Sequence, residues 1–385
     1  MSKSITYGLL AVAVSSSLLV AQGEPAGSWS AKAGSGITYD GGDRFGINML
    51  NFVQARWAFG NNENAPDSNN FDVPRARTLL RGHAFNKNIN YVLQVDYMDD
   101  TSVSIVRDAY VHWNFADGVG LRLGQGKTQW GLENTGTIRG TMFTERSLAS
   151  DRFNWDRTRG VWVMGTNLDN KLRWSAGLVN GRANEENDND DNELGFVASA
   201  NLDLMGDYFG GAREWWSQGD LRDGDRNLMG TIGVGLAMDN TKKVAAPPVI
   251  GADVETDAIN VNTAWSVQGF QVIGEYYTSS EQEDAANGKD VTIDGYYVQG
   301  TYALNKSGDS ALRWALGLRT SFVDNSEAAA NAAETTAVSV VLDALYQGHN
   351  CKTQFELTKR DNDPTAPNSK DTTDYILGVA FQLVF

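Results

Sequence analysis

Arg75, Arg77 and Arg81 stand at alternating positions of one short segment, so a β-strand there would set three guanidiniums on a single face. Guanidiniums fixed in a narrow aqueous space lower the barrier to anions and hold carboxylate or phosphate briefly through paired hydrogen bonds. By the same parity Arg122, Arg313 and Arg319 point to that face in segments of their own. The long polar link 130–159 adds Arg139, Arg146, Arg152, Arg157 and Arg159 beside Glu133, Glu145, Asp151 and Asp156. There the plainer reading is that arginines pair with the acids and brace the link. Asp96, Asp108, Asp203, Glu275, Asp343 and Glu356 share the polar parity elsewhere, which makes the face mixed with an early basic side.

Other chemistry is thin. His83, His112, His349 and the single Cys351 supply no zinc set and few candidates for a histidine-based triad. The run GKT at 126–128 ends like a phosphate-binding loop, but position 121, where its first glycine belongs, is Leu121. The acidic run 184–193 (NEENDNDDNE) lacks the spacing of a calcium loop and reads as a solvated loop tip. No catalytic residue, metal or cofactor is assigned.

The arginine face exists only if strands build it, and the apolar pattern supports strands. From residue 44 onward apolar side chains recur at every second position. Between Arg44 and Phe59 the odd positions carry Phe45, Ile47, Met49, Val53, Trp57 and Phe59, while Arg44, Asn48, Gln54 and Arg56 take even ones. Segments 44–59, 73–85, 89–98, 103–115, 119–129, 160–167, 171–180, 193–204, 226–239, 254–267, 269–279, 290–303, 310–323, 335–346, 349–360 and 373–385 all read this way. One greasy and one polar face suit a membrane barrel, with lipid outside and water inside. Links alternate between short ones and longer polar ones, as tight periplasmic turns alternate with extracellular loops in outer-membrane barrels. The link 205–225 is long where a turn is expected, and reads as an insertion. The last segment sets Tyr375, Leu377, Val379, Phe381, Leu383 and Phe385 on one face and ends on an aromatic ring. Phe381, Leu383 and Phe385 thus resemble the signal by which outer-membrane barrels are recognised for assembly.

Residues 1–23 carry Lys3, an apolar stretch over 8–20 and small residues at 21–23, the pattern of a secretory signal peptide. Cys351 has no intramolecular disulfide partner. The net charge of −16 argues against nucleic acid, whose binding needs a basic excess. Much of it falls in predicted loops such as 181–192 and 280–289.

Six stretches in order, PRARTLLRG (74–82), YVLQVDY (91–97), RDAYVHW (107–113), LRLGQGKTQWGLE (121–133), ERSLASD (145–151) and TRGVWV (158–163), resemble the phosphate-selective porin O and P family of Gram-negative outer membranes. The resemblance implies a trimeric, 16-stranded channel whose third extracellular loop folds into the lumen, a role open to the link 130–159. The chain carries Gly126 where the family commonly has a bulky aromatic, and shows no lysine cluster of the phosphate-specific kind.

The sequence therefore predicts an all-β transmembrane antiparallel β-barrel of about 16 strands in the bacterial outer membrane. Residues 1–23 are the signal peptide, 24–43 an N-terminal periplasmic segment and 44–385 the barrel. The expected function is passive diffusion of small hydrophilic solutes and ions, with anion or phosphate preference carried by the wall arginines and a constriction in the link 130–159. Expected partners are outer-membrane lipid and lipopolysaccharide, the barrel-assembly machinery, small inorganic or organic ions, and further copies of the chain in a homotrimer. Two readings stay open: a non-conducting structural or adhesive barrel, and an outer-membrane hydrolase with a rim site.

Overall fold

The computed structural model describes residues 27–63, 66–98, 105–182, 193–210, 216–242, 253–283, 290–305, 311–327, 333–365 and 369–385. The predicted signal peptide and nearly all of the acidic run 184–193 lie outside them. A short hairpin, β1 (Ser28–Lys32) and β2 (Gly36–Asp40), precedes sixteen longer strands. These are β3 (Phe45–Asn62), β4 (Ser68–Ala84), β5 (Asn86–Asp96), β6 (Val106–Ala116), β7 (Val119–Lys127), β8 (Arg157–Asn167), β9 (Leu172–Val179), β10 (Gly195–Met205), β11 (Met229–Lys242), β12 (Asp253–Val267), β13 (Phe270–Glu283), β14 (Asp290–Ala303), β15 (Arg313–Asp324), β16 (Ala333–Leu345), β17 (Cys351–Pro364) and β18 (Thr372–Val384). Each of the sixteen pairs antiparallel with the next, and β18 pairs back onto β3 from Val384↔Phe52 to Asp374↔Asn62. The result is a closed 16-stranded barrel. All sixteen predicted segments overlap a strand of the ring.

The alternation is inside out compared with a water-soluble protein. On β15 the outward Trp314, Leu316 and Leu318 are 40%, 53% and 57% exposed, while Arg313 and Arg319 on either side of them are 4% and 6% exposed. Apolar side chains face out all round the ring, which suits hydrocarbon, and the closed ladder pairs every strand of the ring on both sides along at least part of its length. Most links at one rim are tight. Gln268 and Gly269 both take positive φ, 49° and 91°, as a two-residue hairpin with the barrel's right-handed twist requires. At the opposite rim the links are longer, and the third of them, residues 128–156, is the longest. The prediction placed its end at 159; the ladder with β7 instead starts β8 at Arg157. On the turn rim β10 and β11 are joined by residues 206–228, the one long link on that side.

The interior holds a core that strict alternation did not foretell. Leu50, Phe52 and Leu79 take the polar parity of β3 and β4 yet are 2–4% exposed, packed on Ile138 of the third long link. The hairpin was read only as a stretch before the barrel. Its strand β2 pairs with the start of β3, Ile37↔Met49 to Asp40↔Gly46, below the point where β18 ends.

Closure reaches the last residue. The Phe385 amide donates to the Asn51 carbonyl at 2.9 Å, and the Asn51 amide donates back to Phe385 at 2.7 Å. Deleting Phe385 removes both bonds, about 2 kcal/mol in all, together with the terminal ring. The expected outcome is a smaller fraction of heat-resistant, compact barrel after refolding into detergent; parent-like migration would contradict a closing role for this residue.

Candidate functional site

Residues 128–156 cross the lumen, because side chains from well-separated strands of the wall bind them. They contain two single-turn helices, α1 (Leu132–Thr135) and α2 (Leu148–Arg152), and a 3₁₀ turn at Ile138–Gly140. The strongest anchor is the carboxylate of Glu275 on β13. It accepts from the backbone amides of Leu132 (2.7 Å) and Glu133 (2.6 Å), from the hydroxyls of Tyr277 (2.9 Å) and Tyr297 (2.7 Å), and from the Asn260 amide (3.0 Å). Further along, Ala149 donates to Ser321 of β15, and Thr144 donates through amide and hydroxyl to Glu356 of β17. Gln354 and Lys352 of β17 donate to the carbonyls of Met142 and Thr141, and Gln382 of β18 donates to that of Arg139.

Behind the segment lies apolar packing. Phe153 stacks on Tyr277 with centroids 5.1 Å apart, and Trp130 meets Tyr277 edge-on at 5.6 Å. Such pairs add about 1 kcal/mol each beyond burial. Trp155 and Trp162 complete this cluster. The segment comes close enough for this because the wall gives up a side chain: a Cβ on Gly235 would lie 2.3 Å from the Trp130 carbonyl oxygen.

The long link on the turn rim also enters the barrel. Tyr208, Phe209 and Trp216 pack with Leu132 of α1 and with Ile273 and Tyr297 of the wall. The Tyr208 amide donates to Asp203, which also pairs with Arg173 at 2.7 Å. Arg313 donates to the Leu221 carbonyl at 2.5 Å and to Asp223 at 2.6 Å. The lumen is therefore filled along the arc from β8 to β14, and open space remains on the rest of the ring.

That space widens above the segment into a vestibule of about 220 Å³, lined by Arg56, Arg146, Arg319 and Arg360, by Glu145 and Glu356, and by the hydroxyls of Thr144, Ser321, Ser339 and Thr358. Arg75 pairs with Glu145 at 2.5 Å and Arg56 pairs with it at 3.0 Å. Burial pushes the Glu145 carboxyl up, but the guanidiniums of Arg75, Arg56 and Arg146 outweigh burial and hold it below the ordinary carboxylate range. The buried Nε atoms of Arg146 and Arg360 have no hydrogen-bond partner. A second, narrower space of about 40 Å³ lies between Thr137 and Ile138 of the segment and Arg77, Gln94, Asp108, Tyr110, Lys127 and Arg157 of the wall. Arg81 and Arg122 are on the wall of the same arc. Burial, with Arg81 nearby, pulls Arg139 down to about 10, so it stays charged at neutral pH.

A separate concavity of about 1050 Å³ opens on the outer side, where β4 outruns β5. The last register pair of those strands is Arg77↔Asp96 and Ala76 still bonds to Asp96 and Tyr97, so residues 68–75 of β4 have no register partner in β5. Outward Trp57, Phe71 and Phe381 line this concavity together with Arg56, Asp72, Arg75, Arg77 and Asp96.

The structure brings the predicted arginines together unevenly. Arg75, Arg77 and Arg81 share the inward face of β4, where Arg77 pairs with Asp96 at 2.5 Å and Arg81 donates to Asn48 at 3.3 Å. Arg122 is 3% exposed and lies over the Tyr110 ring at 4.2 Å. Arg313 is taken up by the turn-rim link, and Arg319 donates to the Glu145 carbonyl while lying over Phe143 at 4.2 Å. Arg157 pairs with Asp108 at 2.9 Å. Arg152 reaches Glu281 and Asn325, and Asp151 is on the exposed side of α2. Arg159 lies on β8 with the outward parity of Val161 and Val163, and donates to Gln125 at 3.3 Å. Arg56, Lys127, Arg360 and Gln218 were not singled out in the sequence. Arg56 had been visible on the polar parity of its strand; nothing near Gln218 signals its contacts.

Residues 47–385 match the family described as phosphate-selective porin O and P. No curated relative matches the sequence. Among solved structures the fold is similar to the outer membrane channel DcaP of Acinetobacter baumannii (TM-score 0.62, 14% identity, 89% of this chain and 98% of that one). It is also similar to an anion-selective porin from Comamonas acidovorans (TM-score 0.59, 11% identity, 88% and 100%). A third likeness is to OmpT, an outer membrane protein of Vibrio cholerae, in its trimer form (TM-score 0.55, 15% identity, 88% and 100%).

Replacing Glu275 by Ala leaves its buried donors without their acceptor, a loss of about 3 kcal/mol. The expected result is a lower unfolding temperature and rapid trypsin cleavage at Arg139 and Arg146 in the still-closed barrel, with Glu275→Gln in between. A Glu275→Ala barrel as protease-resistant as the parent would show that the carboxylate does not hold the segment.

Proposed function

The chain belongs to the phosphate-selective porin O and P family, and from the lumen of this outer-membrane porin we infer a passage that prefers anions. The protein is a channel for passive diffusion of small hydrophilic solutes across the bacterial outer membrane. The vestibule carries the finer reading. Four guanidiniums face two carboxylates there, and two of the four have an Nε that no protein group satisfies. Fixed cations in a narrow pore with low-dielectric walls raise the local anion concentration. A carboxylate or phosphate oxygen can then take the free donors in passing, by the paired geometry that suits guanidinium. Arg75, Arg77, Arg81 and Arg139 extend the cationic track along the same arc. Selection needs no bond made or broken and no cofactor, so the reading is of a non-enzymatic pore.

The same observations support the remaining assignments. Outward aromatic rings beside the Arg56–Asp72 and Arg77–Asp96 pairs suit cover by a second copy better than by acyl chains, since hydrocarbon leaves ion pairs unsolvated. That supports a homotrimer with the β3–β5 side inward. The hairpin β1–β2, at the turn rim, fits a periplasmic segment over 24–43, after a signal peptide at 1–23. Lipopolysaccharide at the long-loop rim and the assembly machinery at Phe381, Leu383 and Phe385 complete the proposed partners.

In planar bilayers under a salt gradient the parent channel is expected to show an anion-directed reversal potential. Arg75→Gln/Arg77→Gln/Arg81→Gln removes three cations, leaving Asp96 without Arg77 and Glu145 with Arg56 alone of its two ion-pair partners, and should swing it toward cations; Arg146→Gln/Arg360→Gln should move it less, in the same direction. An unchanged potential in both would refute anion selection by these residues, and an absence of conducting steps would favour a closed structural barrel.

Because Glu145 titrates below the ordinary range, it stays ionised from about pH 8 to about pH 5. Selectivity should be flat there and turn more anionic only at lower pH, as protonation strips the guanidiniums of their counter-charge. A rise in anion preference already near neutrality would contradict this placement of Glu145.

A further inference from the structure

We propose that the link between β10 and β11 is a second pore element, and that Gln218 within it is the positioning residue that fixes the constriction segment from the turn rim. A hairpin connection needs only two to five residues, whereas this link sends Tyr208, Phe209, Trp216 and Gln218 into the lumen, where all four are buried. The described parts, 206–210 and 216–228, are fastened at both ends. Tyr208 is held by Asp203 at one end, and at the other Asp220 accepts the Gly269 amide at 2.9 Å and pairs with Arg222 at 2.7 Å. Gln218 sits between these fastenings and is 3% exposed.

All four of its polar groups are engaged, and three go to the constriction segment. Its amide donates to the Gly140 carbonyl at 2.7 Å. Its side-chain oxygen accepts from the Met142 amide at 3.0 Å, and its side-chain nitrogen donates to Glu133 at 3.1 Å. Its carbonyl bonds Nε2 of His349, in the turn between β16 and β17, at 2.8 Å. The two segments meet almost backbone to backbone: a Cβ on Gly140 would fall 2.5 Å from the Ser217 hydroxyl. Burial, reinforced by Lys352 beside it, pulls His349 down to about 3. A neutral ring therefore donates from Nε2 throughout the physiological range, while Lys352 donates to the Thr141 carbonyl one residue from the Met142 contact.

Glu133 is the point where the two clamps meet. Its amide goes to Glu275 on the wall, and its carboxylate takes Gln218 from below and Ser147 of α2 from the side. A shift of Gln218 would thus be felt at α1, at the 3₁₀ turn and at α2 together, and the 3₁₀ turn borders the narrow space through Ile138. The width of the passage depends on a link from the opposite rim as well as on the third long link itself.

The test uses the full-length barrel with two substitutions. Gln218→Met keeps the length of the side chain and removes both of its hydrogen bonds; Gln218→Glu keeps an acceptor for Met142 but sets a second carboxylate against Glu133. Both are expected to migrate as closed, heat-resistant barrels. Single-channel conductance and current noise should rise in the order parent, Met, Glu, and exchange of the Met142 amide should quicken about tenfold in the Met variant, the effect of losing roughly 1.4 kcal/mol of hydrogen bonding. Folded variants with parent conductance and noise would overturn the proposal. Should neither fold, exchange in the parent decides: slow exchange of the Gln218 and Met142 amides supports the clasp, and exchange as fast as an open loop overturns it. The proposal rests on the channel reading, yet the two fail separately. A parent that never conducts but loses Met142 protection on Gln218→Met would sink the channel and leave the clasp standing.

Discussion

A sheet surrounded by hydrocarbon can have no free edge, and the rest of this molecule follows from that constraint. Sixteen strands are needed to close this sheet, and a ring of that size is too wide for its own side chains to fill. The interior is therefore occupied by backbone brought in from both rims. One long link enters from the loop side and one from the turn side, and each brings polar groups that the wall must satisfy. Glu275, Glu356, Gln354 and Lys352 do so for the first; Asp203 and Arg313 do so for the second. Three of the six inward acids, Asp203, Glu275 and Glu356, are spent on this task.

The strands were legible because lipid on one side and water on the other impose a period of two on nearly every residue. The arginine face of β4 was legible for the same reason. What could not be read was how many of those arginines remain for a solute, since that depends on where the third long link settles. Glu145 follows four residues after Thr141 on a segment with no periodic pattern, yet it takes up both Arg75 and Arg56. Arg159, expected in the link, belongs to β8 with outward parity, because the ladder with β7 runs three residues further than the predicted segment 160–167. A usable signal lay in the exceptions. Leu50, Phe52, Leu79, Tyr277 and Tyr297 are apolar or aromatic on the polar parity, which happens where something packs inside the ring. The hairpin β1–β2 was missed because five-residue strands give too short a pattern.

The acidity of the chain now has a different meaning from the one its total suggests. A charge of −16 belongs to the whole molecule, while the vestibule holds more guanidinium than carboxylate. Composition and site disagree because the lumen samples only one side of each strand. A membrane barrel can be acidic to the outside world and basic to the solute within it.

The filled arc from β8 to β14 has a mechanical corollary. Close-packed interiors resist compression, so a ring with aromatic clusters on one side cannot flatten evenly under lateral pressure from the bilayer. Its breathing is confined to the open arc, where the vestibule and the narrow space beside Ile138 lie. The compliant part of the wall and the part that meets the solute are the same, and the cross-section of the passage becomes the softest dimension of an otherwise stiff cylinder.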